Sequence, residues 1–245
     1  MVKEIKLLAL DLDGTVVEFN GDSIAEETIE AVKQAQEKGV EVIIATGRSR
    51  RTSIEIAEKL GVEYMVTLNG GEIWTRSGEL LKSQALDRET VEKIMTVYQQ
   101  YQSNMWLVSH DHIFRNEYPD HVLEQEWLKI GFNVIDDADR EKMKQEFALM
   151  DRVELSNSSL TNMELNPKGV HKANAIQFLL DRLGFSFDQV MAIGDSMNDF
   201  KMIQAAGLGI AMGNAQDRVK NIADWVTTSN DAHGVAVAIK KFIID

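Results

Sequence analysis

The sequence predicts an α/β protein in which a doubly wound, mainly parallel sheet carries an inserted α+β domain. Short apolar runs recur along the chain, as is typical of parallel strands that are covered on both faces. Amphipathic helical segments separate these runs. From about Leu86 to Glu164 the candidate strands become more polar and alternate between apolar and polar residues. Together these three observations predict two structural units in one chain.

The outer parts of the chain supply the elements of the predicted parallel sheet. The predicted strands are Lys6–Leu10, Val40–Ala45, Tyr64–Leu68, Val190–Ile193, Gly209–Met212 and Trp225–Thr227. The predicted helices are Ala25–Lys38, Arg50–Leu60, Lys172–Leu183, Asp199–Ala206, Ala215–Ala223 and Ala232–Phe242. Glycines just past four helix ends predict left-handed C-caps; they are Gly39, Gly61, Gly184 and Gly207. Residues 13–22 are predicted to form a short flap that turns at Gly21 and Asp22.

The middle of the chain predicts an α+β unit. Two hairpins are expected: Met105–Ser109 with Ile113–Asn116, and Arg152–Ser156 with Asn162–Leu165. Two or three amphipathic helices are expected with them, including Arg88–Gln102 and His121–Ile130. We therefore predict a core domain from residues 1–84 and 166–245, interrupted by an inserted domain at residues 85–165.

Composition excludes several classes of function. The 245 residues contain no cysteine, which excludes disulfides, thiolate metal sites and cysteine nucleophiles. No stretch approaches the roughly 20 apolar residues of a membrane span, so we expect a cytoplasmic protein without a membrane partner. The formal net charge of −13 repels nucleic acid and anionic surfaces. A phosphate-binding site in this chain must take its positive charge from a metal ion, a lysine or backbone amides.

Polar residues follow the predicted strands at their carboxyl ends, where open α/β sheets bind ligands. These residues are Asp11, Asp13, Thr46, Gly47, Arg48, Asn69, Asp195, Asn198 and Asp199. Any one of them alone is more typical of a loop or a helix cap. The sheet would, however, bring the acids after the first strand close to those after the fourth, and carboxylates at close range repel one another. A hard divalent cation is the usual compensation, and Mg²⁺ favours a few carboxylates together with water and phosphate oxygens.

Four motifs in this order resemble the haloacid dehalogenase superfamily, and within it the Cof-type sugar-phosphate phosphatases. The first motif is Asp11-Leu12-Asp13-Gly14-Thr15, and the second is Thr46 in Ala45-Thr46-Gly47-Arg48. The third is Lys172 near a helix start, and the fourth is Gly194-Asp195-Ser196-Met197-Asn198-Asp199. The Asn69-Gly70-Gly71 turn also matches the Cof pattern. The resemblance implies a Rossmann-like core, a larger α+β cap domain and Mg²⁺ as the cofactor.

The resemblance also implies a role for each residue. Asp11 would be the nucleophile and Asp13 the general acid and base, while Thr46 and Lys172 hold the phosphoryl oxygens. The implied metal ligands are Asp11, the backbone carbonyl of Asp13, Asp195 and Asp199. Asp199 could bind the metal directly, bind it through water, or orient Lys172. The residues expected at the substrate are Thr46, Gly47, Arg48, Asn69, Lys172 and Asn198.

Several alternatives remain open from the sequence. Arg48 could contact the substrate or brace the motif through an ion pair, and Asn69 could chiefly order the loops. Within the inserted domain, four polar residues near the first hairpin are candidates for substrate specificity: His110, His112, Arg115 and Asn116. The leading function is a Mg²⁺-dependent phosphatase of small phosphorylated metabolites that acts through a phospho-aspartate, as a monomer or small homo-oligomer. A phosphomutase and a non-catalytic sensor of phosphorylated metabolites are the alternatives, whereas a dinucleotide-binding dehydrogenase lacks its GxGxxG motif.

Overall fold

The structure is a computed structural model that describes residues 4–17, 21 and 23–245. The described part contains a large sheet and a small sheet. The strands of the large sheet are β1 (Leu7–Leu10), β2 (Glu41–Ala45), β3 (Tyr64–Thr67), β4 (Glu72–Thr75), β5 (Leu80–Ser83), β11 (Val190–Gly194), β12 (Leu208–Ala211) and β13 (Trp225–Val226). The strands of the small sheet are β6 (Asn104–Val108), β7 (Ile113–Arg115), β8 (Lys129–Asn133), β9 (Val153–Ser156) and β10 (Asn162–Pro167).

The helices lie between these strands in the chain. They are α1 (Glu26–Glu37), α2 (Arg50–Leu60), α3 (Arg88–Tyr98), α4 (Asp137–Ala148), α5 (Lys172–Leu183), α6 (Phe200–Ala205), α7 (Asp217–Lys220) and α8 (Gly234–Ile239), which continues as one π-helical turn over Lys240–Ile244. In the part of the chain that the structure describes, no helix combines the length and apolarity that crossing a membrane would require.

The large sheet confirms the predicted fold class. Its strand order is β13-β12-β11-β1-β2-β3-β4-β5, and the first six of these strands are mutually parallel. Every residue of β1 and β11 is buried, which is the pattern of strands covered on both faces. The hairpin formed by β4 and β5 adds two antiparallel strands at one edge, an extension that the apolar runs did not predict.

The small sheet is antiparallel, in the order β7-β6-β8-β10-β9. Its strands alternate, because successive side chains point to opposite faces. One face presents Leu107, Ile130 and Phe132 to a core that also contains residues of α3 and α4. The other face is largely polar. Both predicted hairpins are confirmed, and the second extends to Pro167.

The predicted helix His121–Ile130 is wrong. A short 3₁₀ turn occupies Val122–Glu124, and Lys129 already belongs to β8. β8 is a central strand with partners on both sides, and its apolar residues Ile130 and Phe132 are two positions apart, which is a strand period and not a helical one. The helix predicted over Arg88–Gln102 ends earlier, at Tyr98.

The glycine caps are confirmed at three of the four predicted positions. Gly39, Gly61 and Gly184 have φ values of 82°, 65° and 73°. Gly207 is not left-handed, so that prediction is wrong. A Cβ at Gly207 would lie 2.3 Å from the carbonyl oxygen of Asp188, so the position requires glycine for a close approach of two backbone segments.

The flap over residues 13–22 and the division into two domains stay predictions. The flap prediction falls partly on residues 18–20 and 22, which lie outside the described residues; within the described part, Val17 forms isolated bridges with Asp13 and Ile24. The division into residues 1–84 and 166–245 with an insertion at 85–165 remains a proposal. β10 crosses the second boundary, since it runs from Asn162 to Pro167.

Candidate active site

The two acidic clusters meet at the carboxyl end of the large sheet because β1 and β11 are neighbours. Leu10 is the register partner of Ile193, and the Asp11 amide donates to the Ile193 carbonyl at 3.1 Å. Asp11 and Asp195 therefore leave adjacent parallel strands at the same edge. Carboxylate oxygens of Asp11, Asp195 and Asp199 all lie within 4.8 Å of one another. The pairing of β1 with β11 thus joins motifs that are far apart in the chain.

Lys172 is fully buried at the start of α5, between two of these carboxylates. Its Nζ donates to Oδ1 of Asp11 and to Oδ1 of Asp199, each at 2.6 Å. The other oxygen of Asp199 accepts the backbone amides of Asp195 and Ser196, both at 3.0 Å. Asp199 thus orients the ammonium group of Lys172, and Lys172 in turn orients the carboxylate of Asp11.

Burial and mutual repulsion shift the protonation of this cluster. Burial, followed by the charge of Asp199, raises the pKa of Asp11 to about 7, although Lys172 opposes the shift. Burial, followed by the charges of Asp11 and Asp199, raises the pKa of Asp195 to about 8. For Lys172, burial alone would lower the pKa, but Asp11 and Asp199 raise it above its ordinary value. Three carboxylates facing one lysine leave an excess of negative charge.

The donor set fits a hard divalent cation. Oδ1 of Asp195 is buried and has no hydrogen-bond partner among the described residues, although buried polar atoms nearly always have one. Asp11 and Asp195 supply oxygen ligands of the kind that Mg²⁺ prefers. Both oxygens of Asp199 already accept hydrogen bonds, which fits an orienting role better than direct ligation.

Gly194 permits this arrangement. A Cβ at Gly194 would lie 2.4 Å from Cγ of Asp199, so any larger residue would displace the carboxylate that holds Lys172. The glycine at the end of β11 therefore allows the backbone of that strand to approach the Asp199 side chain closely.

Asp13 lies beside the cluster and is held by Arg48. Nε of Arg48 donates to Oδ1 and Oδ2 of Asp13 at 3.1 and 2.9 Å, and Nη2 donates to Oδ1 at 2.6 Å. Nη2 also donates to the carbonyl of Gly21 at 2.7 Å. Between the two alternatives for Arg48, this geometry supports the brace formed by an ion pair.

Thr46, Asn69 and Asn198 come together through the loops around this edge. The Asn69 amide donates to the Thr46 carbonyl at 2.9 Å, and Nδ2 of Asn198 donates to Oδ1 of Asn69 at 3.1 Å. Oγ1 of the buried Thr46 accepts the Arg48 amide at 3.1 Å, which leaves its hydroxyl proton available to a ligand. Asn69 has a left-handed backbone with φ 61° and fits the role of ordering the loops.

A cavity of about 630 Å³ opens between this edge and the polar face of the small sheet. Six of the predicted site residues line it: Asp11, Asp13, Gly47, Arg48, Asp195 and Asn198. The other four are buried and do not line it: Thr46, Asn69, Lys172 and Asp199. All ten predicted residues therefore belong to one region, six of them at its surface.

A second buried network, which the sequence did not predict, joins the small sheet to the site. Nζ of Lys129 donates to Oε1 of Glu164 at 2.9 Å and to the carbonyl of Gly47 at 2.7 Å. The other oxygen of Glu164 accepts Nδ2 of Asn69 at 2.7 Å. Lys129 and Glu164 are each 4% exposed. A sequence signal exists, since Lys129 interrupts the apolar run Trp127–Phe132 and Glu164 lies between the apolar residues Met163 and Leu165.

The four candidate specificity residues are dispersed. Arg115 lines the cavity. Nδ1 of His110 pairs with the buried Glu72 at 2.7 Å, and His112 packs on Phe114 with ring centroids 4.5 Å apart. Asn116 accepts the Met105 amide through its side chain at 3.1 Å. Of the four, Arg115 is placed to meet a ligand.

Known proteins resemble this chain over nearly its whole length. A family model of haloacid dehalogenase-like hydrolases matches residues 8–239. A 5-amino-6-(5-phospho-D-ribitylamino)uracil phosphatase of Bacillus subtilis is 39% identical over 242 residues, which are 98% of this chain and 97% of that protein. A haloacid dehalogenase-like hydrolase structure from B. subtilis superposes with a TM-score of 0.88 at 25% identity and covers 96% of this chain and 99% of the other. The structure of a subclass IIB sugar phosphatase superposes with a TM-score of 0.86, also at 25% identity, and covers 98% and 100%.

Proposed function

We propose, since the chain belongs to the haloacid dehalogenase-like hydrolase family, that it hydrolyses small phosphate monoesters through a phosphorylated Asp11 and depends on Mg²⁺. Phosphatase activity on small phosphorylated substrates is the activity that its relatives support. The observation that carries the finer proposal is the position of Lys172, which donates to Asp11 and Asp199 in the carboxylate cluster that also contains Asp195 and its unpartnered Oδ1.

In the proposed first step, Asp11 attacks phosphorus. Lys172 binds Oδ1 of Asp11, which leaves Oδ2 to form the bond to phosphorus while the bond to the leaving oxygen breaks. Asp13, which must be protonated for this step, gives its proton to that leaving oxygen. Lys172 and the hydroxyl of Thr46 bind the phosphoryl oxygens, whose charge spreads in the transition state.

In the second step, water attacks the phosphorus of phospho-Asp11. Asp13 takes the proton of the water, and Asp11 leaves as a carboxylate with release of inorganic phosphate, so that the enzyme returns to its starting state. Asp11, Asp195 and the carbonyl of Asp13 would hold Mg²⁺, and the bound ion would supply positive charge against the carboxylates and the phosphoryl group. We assign Asp199 the orienting role for Lys172.

A panel of phosphate esters tests this function, with released phosphate as the readout. The panel contains p-nitrophenyl phosphate, a hexose phosphate, 5-amino-6-(5-phospho-D-ribitylamino)uracil and ribitol 5-phosphate. The last two esters share one phosphorylated ribityl end, but only the uracil compound carries a ring. The uracil compound is included because a 39% identical relative is named for it. We expect release with Mg²⁺ and none with a chelator. A folded protein that releases no phosphate from any ester would refute the proposal.

The covalent step has its own test. In Asp13→Asn, the second step lacks its base, so phospho-Asp11 should accumulate after the ester is added. Acid quenching followed by peptide mass analysis should find one phosphoryl group on the peptide that contains Asp11. If the wild-type protein instead isomerised the hexose phosphate without releasing inorganic phosphate, the result would favour the phosphomutase.

A further inference from the structure

Trp106 stands in the middle of the small sheet on the face that lines the cavity. One row of register partners crosses that face, one residue from each strand: Arg115, Trp106, Gly131, Glu164 and Ser156. Among the described residues that line the cavity, Trp106 is the one with an aromatic side chain. Its immediate neighbours in the row are a cationic side chain on one side and a glycine on the other.

The indole of Trp106 lies over Gly131. A Cβ at Gly131 would be 2.0 Å from Cε2, 2.1 Å from Cζ2 and 2.5 Å from Nε1 of the indole. The ring therefore occupies the space directly above the glycine backbone, against the sheet. Packing alone accounts for an aromatic ring that covers a glycine. The residue also packs against the apolar cluster of Leu68, Val108 and Leu128, and its partly exposed side chain lines the cavity of about 630 Å³ that Asp11 lines too.

Trp106, Gly47 and Asp11 line the same cavity. Lys129 precedes Gly131 by two residues on β8, and two residues of a strand span about 6.6 Å. Nζ of Lys129 donates to the carbonyl of Gly47, in the loop that follows Thr46. A leaving group that extends along this cavity from a phosphate at Asp11 would therefore meet the sheet face that carries Trp106.

We propose that Trp106, laid on Gly131, is a stacking platform for a planar heteroaromatic ring in the leaving group, and that Arg115 donates to the polar edge of that ring. Stacking needs a flat π face, which the indole offers. Val108 and Ile113, in the next row of the sheet, extend the same wall with apolar surface. The proposal deepens the proposed phosphatase function and rests on it.

The matched pair of ribityl esters isolates the ring, since both esters present the same phosphorylated end to the site. We expect wild-type kcat/KM to be higher for the ring-bearing ester than for ribitol 5-phosphate. Trp106→Leu should reduce this ratio by about 5- to 150-fold, the range that one stacked base contributes. Trp106→Phe should retain part of the ratio. Trp225→Phe is the matched control, because Trp225 packs on Phe242 away from the cavity.

Gly131→Ala tests the geometry with the tryptophan still present. Gly131 has no left-handed φ, so alanine suits its backbone, while the added methyl must displace the indole. We expect the same direction of change in the ratio. In Trp106→Leu the same alanine should add little further loss, because the platform is already gone.

Binding gives a readout separate from turnover. In an Asp11→Asn background, titration calorimetry with the ring-bearing ester should show weaker affinity after Trp106→Leu and no change after Trp225→Phe. A wild-type ratio near one, or a ratio that survives in folded Trp106→Leu and Trp106→Phe, would overturn the platform. Failure of the phosphatase proposal is distinct, since no ester of the panel would then release phosphate.

Discussion

Two buried lysines bind carboxylates, Lys172 at the start of α5 and Lys129 on β8, but they differ in charge balance. Lys172 faces the carboxylates of Asp11 and Asp199, with Asp195 within the same cluster. Lys129 faces one carboxylate, that of Glu164, and a backbone carbonyl. The first centre has excess negative charge, raised pKa values and an unpartnered oxygen. The second is a closed pair that joins the small sheet to the Gly47 loop.

The difference shows how identical residue types serve two purposes. A buried ion pair whose charges balance has no excess charge that would require a ligand, but removing one of its partners is strongly destabilising. A buried cluster that cannot satisfy its own charge requires a ligand, and perturbed pKa values accumulate at such places. We therefore expect substitutions at the first centre to affect turnover, and substitutions at the second to affect stability.

The largest expected effect is that of Asp11→Asn on turnover. The change removes the nucleophile with little change in volume, so phosphate release should fall at least about 10⁴-fold, as losses of nucleophiles do. The thermal midpoint in metal-free buffer should not fall, because one of the mutually repelling acids is neutralised. Asp181→Asn, on the outer side of α5, is the matched control. A variant that keeps substantial activity would exclude Asp11 as the nucleophile.

Asp13→Asn should have the next largest effect. The backbone carbonyl remains, but the proton donor is lost, and such groups contribute about 10²–10⁴-fold. The loss in the first step should be smaller for p-nitrophenyl phosphate, whose leaving group is a stable anion, than for an alkyl phosphate. Rapid-quench kinetics should show a burst of nitrophenol followed by slow phosphate release. Equal losses on both esters without a burst would make Asp13 a structural partner of Arg48.

Lys129→Met should act on stability. It leaves the buried Glu164 without its cation, which costs about 3–5 kcal/mol of the free energy of unfolding. Adding Glu164→Gln should recover part of that loss, because glutamine can still accept from Asn69. Urea unfolding measures both. Lys93→Met is the matched control, since Lys93 forms an exposed pair with Glu89 at 2.8 Å and should change stability by about 0.5 kcal/mol or less.

If folded Lys129→Met had a much lower kcat than the wild type, the distinction between the two centres would be contradicted. The relevant measurement is kcat at a temperature where the variant is fully folded. A kcat close to that of the wild type would keep Lys129 as a brace.

The smallest expected effect is a pH dependence of the stabilisation by Mg²⁺. The pKa values of Asp11, about 7, and Asp195, about 8, are raised above those of an unfolded chain. Their contribution to stability is therefore complete below the unfolded pKa and is lost as the pH rises through the folded values. Metal-free protein should therefore become less stable as the pH rises from about 5 to 8. Bound Mg²⁺ keeps both acids ionised, so its thermal shift should grow with pH.

Thermal melts with and without Mg²⁺ across this pH range give the measurement. Asp11→Asn should show a shallower dependence in metal-free buffer, because one titrating group is gone. A Mg²⁺ shift that is constant with pH would contradict the raised pKa values.

The sequence predicted most of the large sheet because its strands are buried on both faces and therefore appear as continuous apolar runs. It predicted less of the small sheet. The predicted helix His121–Ile130 took in the first two residues of β8, since a strand with one polar face and a glycine in its middle lacks a continuous apolar run. The β4–β5 hairpin was missed, and its edge strand β5 has no buried residue and therefore no continuous apolar run.

By itself, the sequence determined which residues follow the strands and in what order. This order was enough to predict the fold class and to predict that ten site residues lie in one region. Only the tertiary structure decided how they are connected. The bond from Lys172 to Asp199, the brace from Arg48 to Asp13, the pair of Lys129 with Glu164 and the indole over Gly131 all join residues distant in the chain. Local pattern reports which face is buried, whereas such contacts depend on the register between strands and on the packing of one sheet against another.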